Sequence, residues 1–260
     1  KGNYMYNHTI AALAITEAYG LTQSYTLRAC AQRGIDFLSR AQNPYLAWRY
    51  IVQPVNNPNA EAPHYNDSSV TGWVVMVLKS AKIAGLEVPH ECFEGARIWF
   101  DSVTDDQYYR TGYVVKGDRG ARLKSQVGKF GNSESMTAVA VMSRVFMGME
   151  RHDPRVRGGA ELLLQSLPEW SSENGTSKID YYYWYYGTLA MFQMGGDYWR
   201  TWNVKMKKTL VEQQNSDKGT CLHGSWDPVG AWGSIGGRVY ATAINVLSLE
   251  IYYRYERVFR

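Results

Sequence analysis

Apolar residues recur along this chain every three or four positions, which is the spacing of amphipathic helices, and strand-like alternation is nearly absent. The pattern predicts an all-α protein. Nine helices are expected, at His8–Tyr19, Tyr25–Gln42, Ser68–Ala84, His90–Val103, Ser135–Met147, Pro154–Leu167, Asp180–Met194, Tyr198–Gln214 and Arg238–Tyr255.

The predicted helices alternate between two kinds. Every second helix is apolar and rich in small residues, as in "SSVTGWVVMVL" and "MTAVAVM", whereas those between carry a charged face, as in "LRACAQRGIDFLSR". A helix that is apolar all round must be covered on every side, and an amphipathic helix needs cover on one face. We therefore expect an inner layer of apolar helices and an outer layer of amphipathic ones.

The stretch Asp180–Leu189, "DYYYWYYGTL", contains six consecutive aromatic residues. On a helix, six successive side chains point in all directions around the axis. Helix-forming residues follow, and Gly195 and Gly196 form a stop signal. The segment is predicted to be one buried helix, from Asp180 to Met194, with Asp180 as its N-cap.

The connections between predicted helices alternate between short and long. Because successive helices run in opposite directions, the long connections gather at one end, together with the N-termini of the apolar helices, and function is expected there. One long connection, Thr104–Asn132, is either a solvated loop or a lid or anion-binding segment. Its cationic residues are Arg110, Lys116, Arg119, Arg122, Lys124 and Lys129.

Composition narrows the class of protein. The chain has 260 residues, of which 45% are hydrophobic and 14% aromatic, so it is expected to be globular with a large core. A net charge of +4, without aromatic residues interleaved among basic ones, argues against nucleic-acid binding. No apolar run approaches the ~18 residues of a membrane helix, so no membrane span is expected. The three cysteines lack metal-type spacing, and a chain that begins at Lys1 is expected to be a piece of a longer protein.

Two short motifs carry a resemblance to a known family. Gln42–Trp48, "QNPYLAW", approximates the Q-x-x-x-G-x-W element of squalene-hopene-type cyclases, with Leu46 at the glycine position, and "GSWDP" at Gly224–Pro228, after "VEQQ", looks like the end of another such element. With its apolar helices, the chain resembles the prenyltransferase and squalene-oxidase repeat family, in particular bacterial members of unassigned function. The resemblance implies one α/α toroid over residues 1–260. Five inner and four outer helices would surround a central cavity.

The chemistry of the active relatives does not follow from this resemblance. Class II cyclases use a D-x-D-D acid, but the nearest stretch, Val103–Asp106, begins with valine. Prenyltransferases bind zinc through Asp, Cys and His residues spread along the chain, whereas Asp217, Cys221 and His223 lie together in one loop. Neither a metal nor another cofactor is therefore expected, and the balance is against an enzyme.

Polar residues at the starts of the apolar helices are the candidates for catalysis. They are His8, Asp67, Glu134 and Asp180. Helix capping is the favoured explanation for Asp67 and Asp180. If they are functional, a carboxylate beside a histidine could transfer protons, or a pair of carboxylates could act on carbohydrate.

Aromatic residues and one arginine on the apolar helices are the candidates for ligand binding, although aromatic residues at helical spacing also form ordinary cores. They are Trp73, Tyr183, Trp184, Tyr186, Arg238 and Tyr240. The expected function is binding of an apolar or carbohydrate ligand, or of a segment of the parent protein, at the long-loop end. The alternative is an enzyme of the terpenoid cyclase or prenyltransferase type, or a carbohydrate-active enzyme.

Overall fold

A computed structural model describes residues 4–43, 46–52, 66–119 and 123–256. This part of the chain is mostly helical with almost no strand, which confirms the all-α prediction. Its α-helices are α1 (Tyr4–Thr22), α2 (Tyr25–Arg40), α3 (Ser68–Ile83), α4 (His90–Ser102), α5 (Ser135–Phe146), α6 (Pro154–Leu164), α7 (Tyr181–Met194), α8 (Gly196–Val211), α9 (Gly233–Leu249) and α10 (Ile251–Glu256). A 3-10 turn (Lys124–Gln126) and a short antiparallel pair, β1 (Ser172–Glu173) with β2 (Thr176–Ser177), complete the elements.

The last predicted helix differs most from the structure. Instead of one helix over Arg238–Tyr255, α9 begins at Gly233 and α10 follows as a separate short helix. Gly237 has a φ of 66°, which bends α9 near its start. Because this left-handed conformation is inexpensive for glycine alone, the bend lies where the sequence offers a glycine pair.

The described residues form two compact units. The first unit contains the residues up to Asp118 together with Ser143–Glu150, and the second contains Arg119–Met142 and the residues from Arg151 onward. Each unit is described by itself below.

In the first unit, α1 packs on α2 and α3, and α3 also packs on α2 and α4. Residues 68–78 of α3 are all buried, as expected for a covered apolar helix. The prediction of an all-round covered helix is wrong for α1, which buries one face and leaves Ile10 and Leu21 exposed.

In the second unit, α7 packs on α6, α8 and α9. Five of its six consecutive aromatic side chains are buried, which confirms the prediction of a buried helix. Gly187 lets α8 approach, because a Cβ atom there would lie 2.3 Å from the Trp202 ring. The prediction of full burial is wrong for α9, whose Val239 is 83% exposed.

The first cyclase-like motif ties the end of α2 to α3. The Gln42 side chain donates to the Leu46 carbonyl over 2.9 Å. The fully buried Trp48 donates its indole N–H to the Leu38 carbonyl over 2.8 Å, and its backbone N–H lies 3.3 Å from the Thr71 hydroxyl. These bonds fix the chain that leads toward the start of α3.

The second motif makes the same set of bonds in the second unit. Gln214 donates to the Gly224 carbonyl over 2.8 Å, and the Trp226 indole donates to the Leu210 carbonyl over 2.8 Å. The Trp226 backbone N–H lies 3.3 Å from the Thr242 hydroxyl on α9. Two distant stretches of sequence therefore form one repeated structural module.

Candidate functional site

Asp67 lies at the N-terminus of α3 and is 0% exposed. Its Oδ1 accepts the Val70 backbone N–H over 2.7 Å, as an N-cap does. Its own backbone N–H donates to the Trp48 carbonyl over 2.9 Å, so the first motif holds it in place. Capping and burial thus fix this carboxyl group in a single position.

The second oxygen of Asp67 has unused hydrogen-bonding capacity. Oδ2 is buried and meets no donor at hydrogen-bonding geometry among the described residues, although the Tyr113 hydroxyl lies near enough to stabilise the charged form. Burial raises the pKa of Asp67 to about 7, and the Val70 N–H, Arg49, the Ser69 N–H and the Tyr113 hydroxyl oppose that rise only in part. Near neutral pH this group exists both as acid and as carboxylate.

Three half-buried tyrosines surround the start of α3. The hydroxyls of Tyr50 and Tyr113 share a hydrogen bond, and the Tyr6 hydroxyl shares one of 2.5 Å with Ser69. The Tyr6 and Tyr50 ring centroids are 5.8 Å apart. A hydroxyl group of α1 therefore meets α3 at Ser69, and the hydroxyls of two separate loops meet each other, with that of Tyr113 near Asp67.

The loop that carries Tyr113 is bound directly to α3. The Ser68 backbone N–H donates to the Tyr113 carbonyl over 3.0 Å, and the Ser68 hydroxyl donates to the Gly112 carbonyl over 2.7 Å. Burial, and after it the Asp67 charge, raises the pKa of both Tyr50 and Tyr113. Both phenols consequently keep their protons at neutral pH.

Arg49 is the cation that the described residues bring near this cluster. Its guanidinium carbon lies 5.9 Å from the centre of the Tyr50 ring. Its charge lowers the pKa of Asp67, but by less than burial raises it. The net effect of the surroundings therefore favours the neutral, protonated form of Asp67. We call Tyr6, Arg49, Tyr50, Asp67, Ser69 and Tyr113 the Asp67 site.

His8, the candidate partner of Asp67, makes its contacts with α2 instead. Its Nε2 lies 3.3 Å from the Gly34 carbonyl, and its ring centroid lies 4.2 Å from that of Phe37. Within the described ranges, no hydrogen bond or ion pair joins His8 to Asp67. The structure thus brings tyrosines, rather than this histidine, to the carboxyl group.

Glu134 and Asp180 belong to the second unit, and both are buried. Arg119 donates to Glu134 Oε1 over 2.5 Å, and Thr137 donates to Oε2 over 3.0 Å. Asp180 caps α7 through the Tyr183 N–H, at 3.1 Å, and accepts from the Ser133 hydroxyl over 2.9 Å. Unlike Asp67, each of these carboxylates has a partner on both oxygens.

A cavity of about 740 Å³ lies in the second unit, next to the start of α7. Tyr183 and Trp184 contribute to its wall, with the end of α6 and the β1–β2 hairpin. Both aromatic side chains are almost fully buried, and the Tyr183 hydroxyl donates to the Ser166 carbonyl over 2.8 Å. Burial raises the pKa of Tyr183, and nearby Glu134 and Asp180 raise it further. The volume lies within the range of small-molecule pockets.

The remaining ligand-binding candidates do not line this cavity. Trp73 is buried in α3, and Tyr186 is buried against the rings of Tyr182 and Tyr185. Arg238 binds Asp227 and donates to the Ser225 hydroxyl over 2.9 Å, so it fixes the second motif. Tyr240 is half-buried on α9.

The acidic and zinc-like motifs have local structural roles. Asp105 accepts the backbone N–H groups of Gln107 and Tyr108, and Asp106 pairs with Lys116 at 2.8 Å. Asp217 accepts the Gly219 N–H in a turn. In the part of the chain that the structure describes, no three His, Cys, Asp or Glu side chains come together as a metal site.

Sequence reasoning selected Asp67 but missed Tyr6, Tyr50 and Tyr113. Tyr50 and Tyr113 are 63 residues apart, and no spacing rule connects two loop tyrosines over that distance. The one available signal was their position in the long connections that flank α3.

Comparison with known proteins leaves the family open. No protein-family model matches the sequence, and no curated protein matches it. Among the described helices, none is both long and apolar enough to cross a membrane.

Proposed function

We propose that this chain is an α/α-toroid domain of the prenyltransferase and squalene-oxidase repeat type, and that it binds a small polar ligand at the Asp67 site. The observation that carries the binding proposal is Asp67 Oδ2, a fully buried oxygen that meets no donor at hydrogen-bonding geometry among the described residues, although the Tyr113 hydroxyl and the Ser69 N–H lie near the carboxyl group. A polar atom in this state costs about 1–3 kcal/mol. A ligand that donates a hydrogen bond would recover that cost.

Two features support the toroid. Within each unit, one predicted inner helix packs on the next, α1 on α3 and α7 on α9, with amphipathic helices beside them. The two cyclase-like motifs also make the same bonds from glutamine and tryptophan. A repeated helical pair with a repeated tether is what the resemblance predicts.

The location of the site supports binding over capping alone. An N-cap needs one side-chain oxygen, and Asp67 supplies that with Oδ1. Asparagine or serine would cap α3 without a buried ionisable group. The carboxyl group and the Tyr113 hydroxyl near it exceed what the helix terminus requires.

The binding proposal is tested by NMR titration with four probes: propylammonium, 1-propanol, propionate and glucose. We expect at least one probe to shift the resonances of Asp67 and Tyr113 saturably, and this binding to weaken at least tenfold in Asp67→Asn. Asp153→Asn is the matched control, because Asp153 caps α6 through the Arg155 N–H at 2.8 Å and is not one of the residues of the Asp67 site. If none of the probes binds in an Asp67-dependent manner, the proposal is wrong.

A second function, acid–base catalysis by Asp67, is favoured by the pKa of about 7 of that carboxyl group. A general acid or base works best when its pKa lies near the operating pH. For a p-nitrophenyl glycoside that the protein hydrolyses, we expect kcat/KM to change with an inflection near pH 7. Asp67→Asn should lower kcat about 10²–10⁴-fold, and unchanged turnover in that variant would exclude this role.

A further inference from the structure

The polar atoms around Asp67 are mostly oxygens. The carboxyl group contributes two, the Tyr113 hydroxyl lies beside them and is hydrogen-bonded to that of Tyr50, and the hydroxyls of Tyr6 and Ser69 form a second pair at the start of α3. Each hydroxyl carries one proton and two lone pairs, and the hydrogen bond between Tyr50 and Tyr113 uses one of the two protons of that pair. Ionised Asp67 therefore keeps one oxygen, Oδ2, to which the described residues bring no donor at hydrogen-bonding geometry.

Among the described residues, the cation that acts on the Asp67 pKa is Arg49, and its effect is smaller than that of burial. Removing a carboxylate from water is costly unless a cation compensates it. Arg49 lies over the Tyr50 ring, and the groups that face Asp67 besides it are the two neutral phenols and backbone N–H groups. The upward direction of the Asp67 pKa agrees with this incomplete compensation, because a sufficient cation would have moved it downward.

We propose that the Asp67 site binds a primary ammonium group, which donates one N–H to Asp67 Oδ2 and another to a hydroxyl oxygen of the Tyr50–Tyr113 pair. This inference rests on the proposed function and names its ligand class. The ammonium group supplies both a donor for Oδ2 and a compensating positive charge, and charge-assisted hydrogen bonds are about twice as strong as neutral ones.

Other ligand classes fit the site less well. A hydroxyl group donates a hydrogen bond but brings no positive charge. An anion is repelled by the negative charge of the Asp67 carboxylate. A quaternary ammonium brings charge but no N–H. A divalent metal ion needs several carboxylate or carbonyl oxygens, whereas Asp67 is the one carboxylate that the described residues place here.

Two sources could present this group: a free amine, or the lysine side chain of a protein segment. We compare propylammonium with its neutral isostere 1-propanol and with tetramethylammonium, by NMR titration at pH 8. Nα-acetyl-lysine methylamide is compared with its Nε-acetylated form, which keeps the shape and loses the charge. A lysine peptide that binds more tightly than propylammonium identifies the protein source, and equal affinity identifies the free amine.

We expect propylammonium to bind at least tenfold more tightly than 1-propanol and tetramethylammonium. Asp67→Asn should remove this preference, whereas Asp153→Asn should keep it. Because the cation favours ionised Asp67, affinity should fall toward tenfold for each pH unit below about 7. Tyr113→Phe, which leaves the carboxyl group in place, should weaken propylammonium binding by a smaller factor.

Two results would overturn the inference, and they differ in what they leave standing. If 1-propanol binds as tightly as propylammonium and both depend on Asp67, the ammonium inference is wrong and the binding site remains. If no probe binds in an Asp67-dependent manner, the inference and the proposed function are both wrong.

Discussion

Replacing Asp67 with asparagine is expected to stabilise the protein above pH 7. Asparagine keeps the oxygen that caps α3 and removes a buried ionisable group. The folded-state pKa of about 7 lies above the ordinary value of 3.8, so the folded state binds the proton more tightly between these values. The stability that the protonated carboxyl contributes is fully present below pH 3.8 and is lost as the pH rises to 7.

The size of the stabilisation by Asp67→Asn follows from the folded-state and ordinary pKa values of Asp67. The difference between about 7 and 3.8, at about 1.4 kcal/mol for each pH unit, corresponds to roughly 4 kcal/mol. The advantage of Asp67→Asn over the wild type should therefore grow from pH 4 to pH 7 and stay constant above. Urea unfolding at a series of pH values measures it.

The control for this experiment is Asp153→Asn, which makes the matching change at the half-buried cap of α6. A destabilised Asp67→Asn at pH 8 would show that the carboxylate is already compensated in the folded protein. That outcome would contradict both the incomplete compensation of Asp67 and the ligand class inferred from it. If Asp67→Asn is more stable but binds no ligand, the wild-type protein sacrifices stability at Asp67 in order to bind its ligand.

The second large effect is expected at the tryptophans of the repeated motif. Trp48→Ala and Trp226→Ala should each lower the free energy of unfolding by about 3–5 kcal/mol, because both side chains are almost fully buried. Each also loses an indole hydrogen bond to a carbonyl of the preceding helix, Leu38 or Leu210. Denaturant unfolding followed by circular dichroism measures the change.

Conservative variants separate packing from hydrogen bonding in this module. Trp48→Phe and Trp226→Phe keep most of the buried ring and should cost less than the alanine variants, with the lost bond contributing about 1 kcal/mol. Because the two tryptophans make matching bonds, the two pairs of variants should behave alike. A loss below about 1 kcal/mol for either alanine variant would mean that the motif does not hold its unit together.

The buried helix α7 could be predicted because its information is local. Six aromatic residues, helix formers and a glycine stop lie within one short stretch, and the N-cap Asp180 directly precedes it. The exposed faces of α1 and α9 could not be predicted in this way. Their composition matches that of α3, but the exposure of a helix depends on how many other helices pack against it. The spacing of apolar residues in the sequence does not reveal that number.

The candidate site likewise combines a feature that the local sequence predicts with features that depend on tertiary contacts. Asp67 was identifiable as a carboxylate before an apolar helix, yet its complete burial depends on the Trp48 carbonyl and on the loop around Tyr113. Those contacts join parts of the chain that are far apart in sequence. The bend at Gly237 is another example, because the glycine permits the conformation and tertiary packing selects it.

The most direct test of the central claim is a carbon-13 NMR titration of the Asp67 carboxyl carbon, assigned by comparison with Asp67→Asn. A buried and uncompensated carboxyl group predicts a midpoint near pH 7. Saturation with propylammonium should move that midpoint to lower pH. A midpoint near the ordinary value of 3.8 in the protein alone would contradict the account, because Asp67 would then be a solvated or fully paired helix cap.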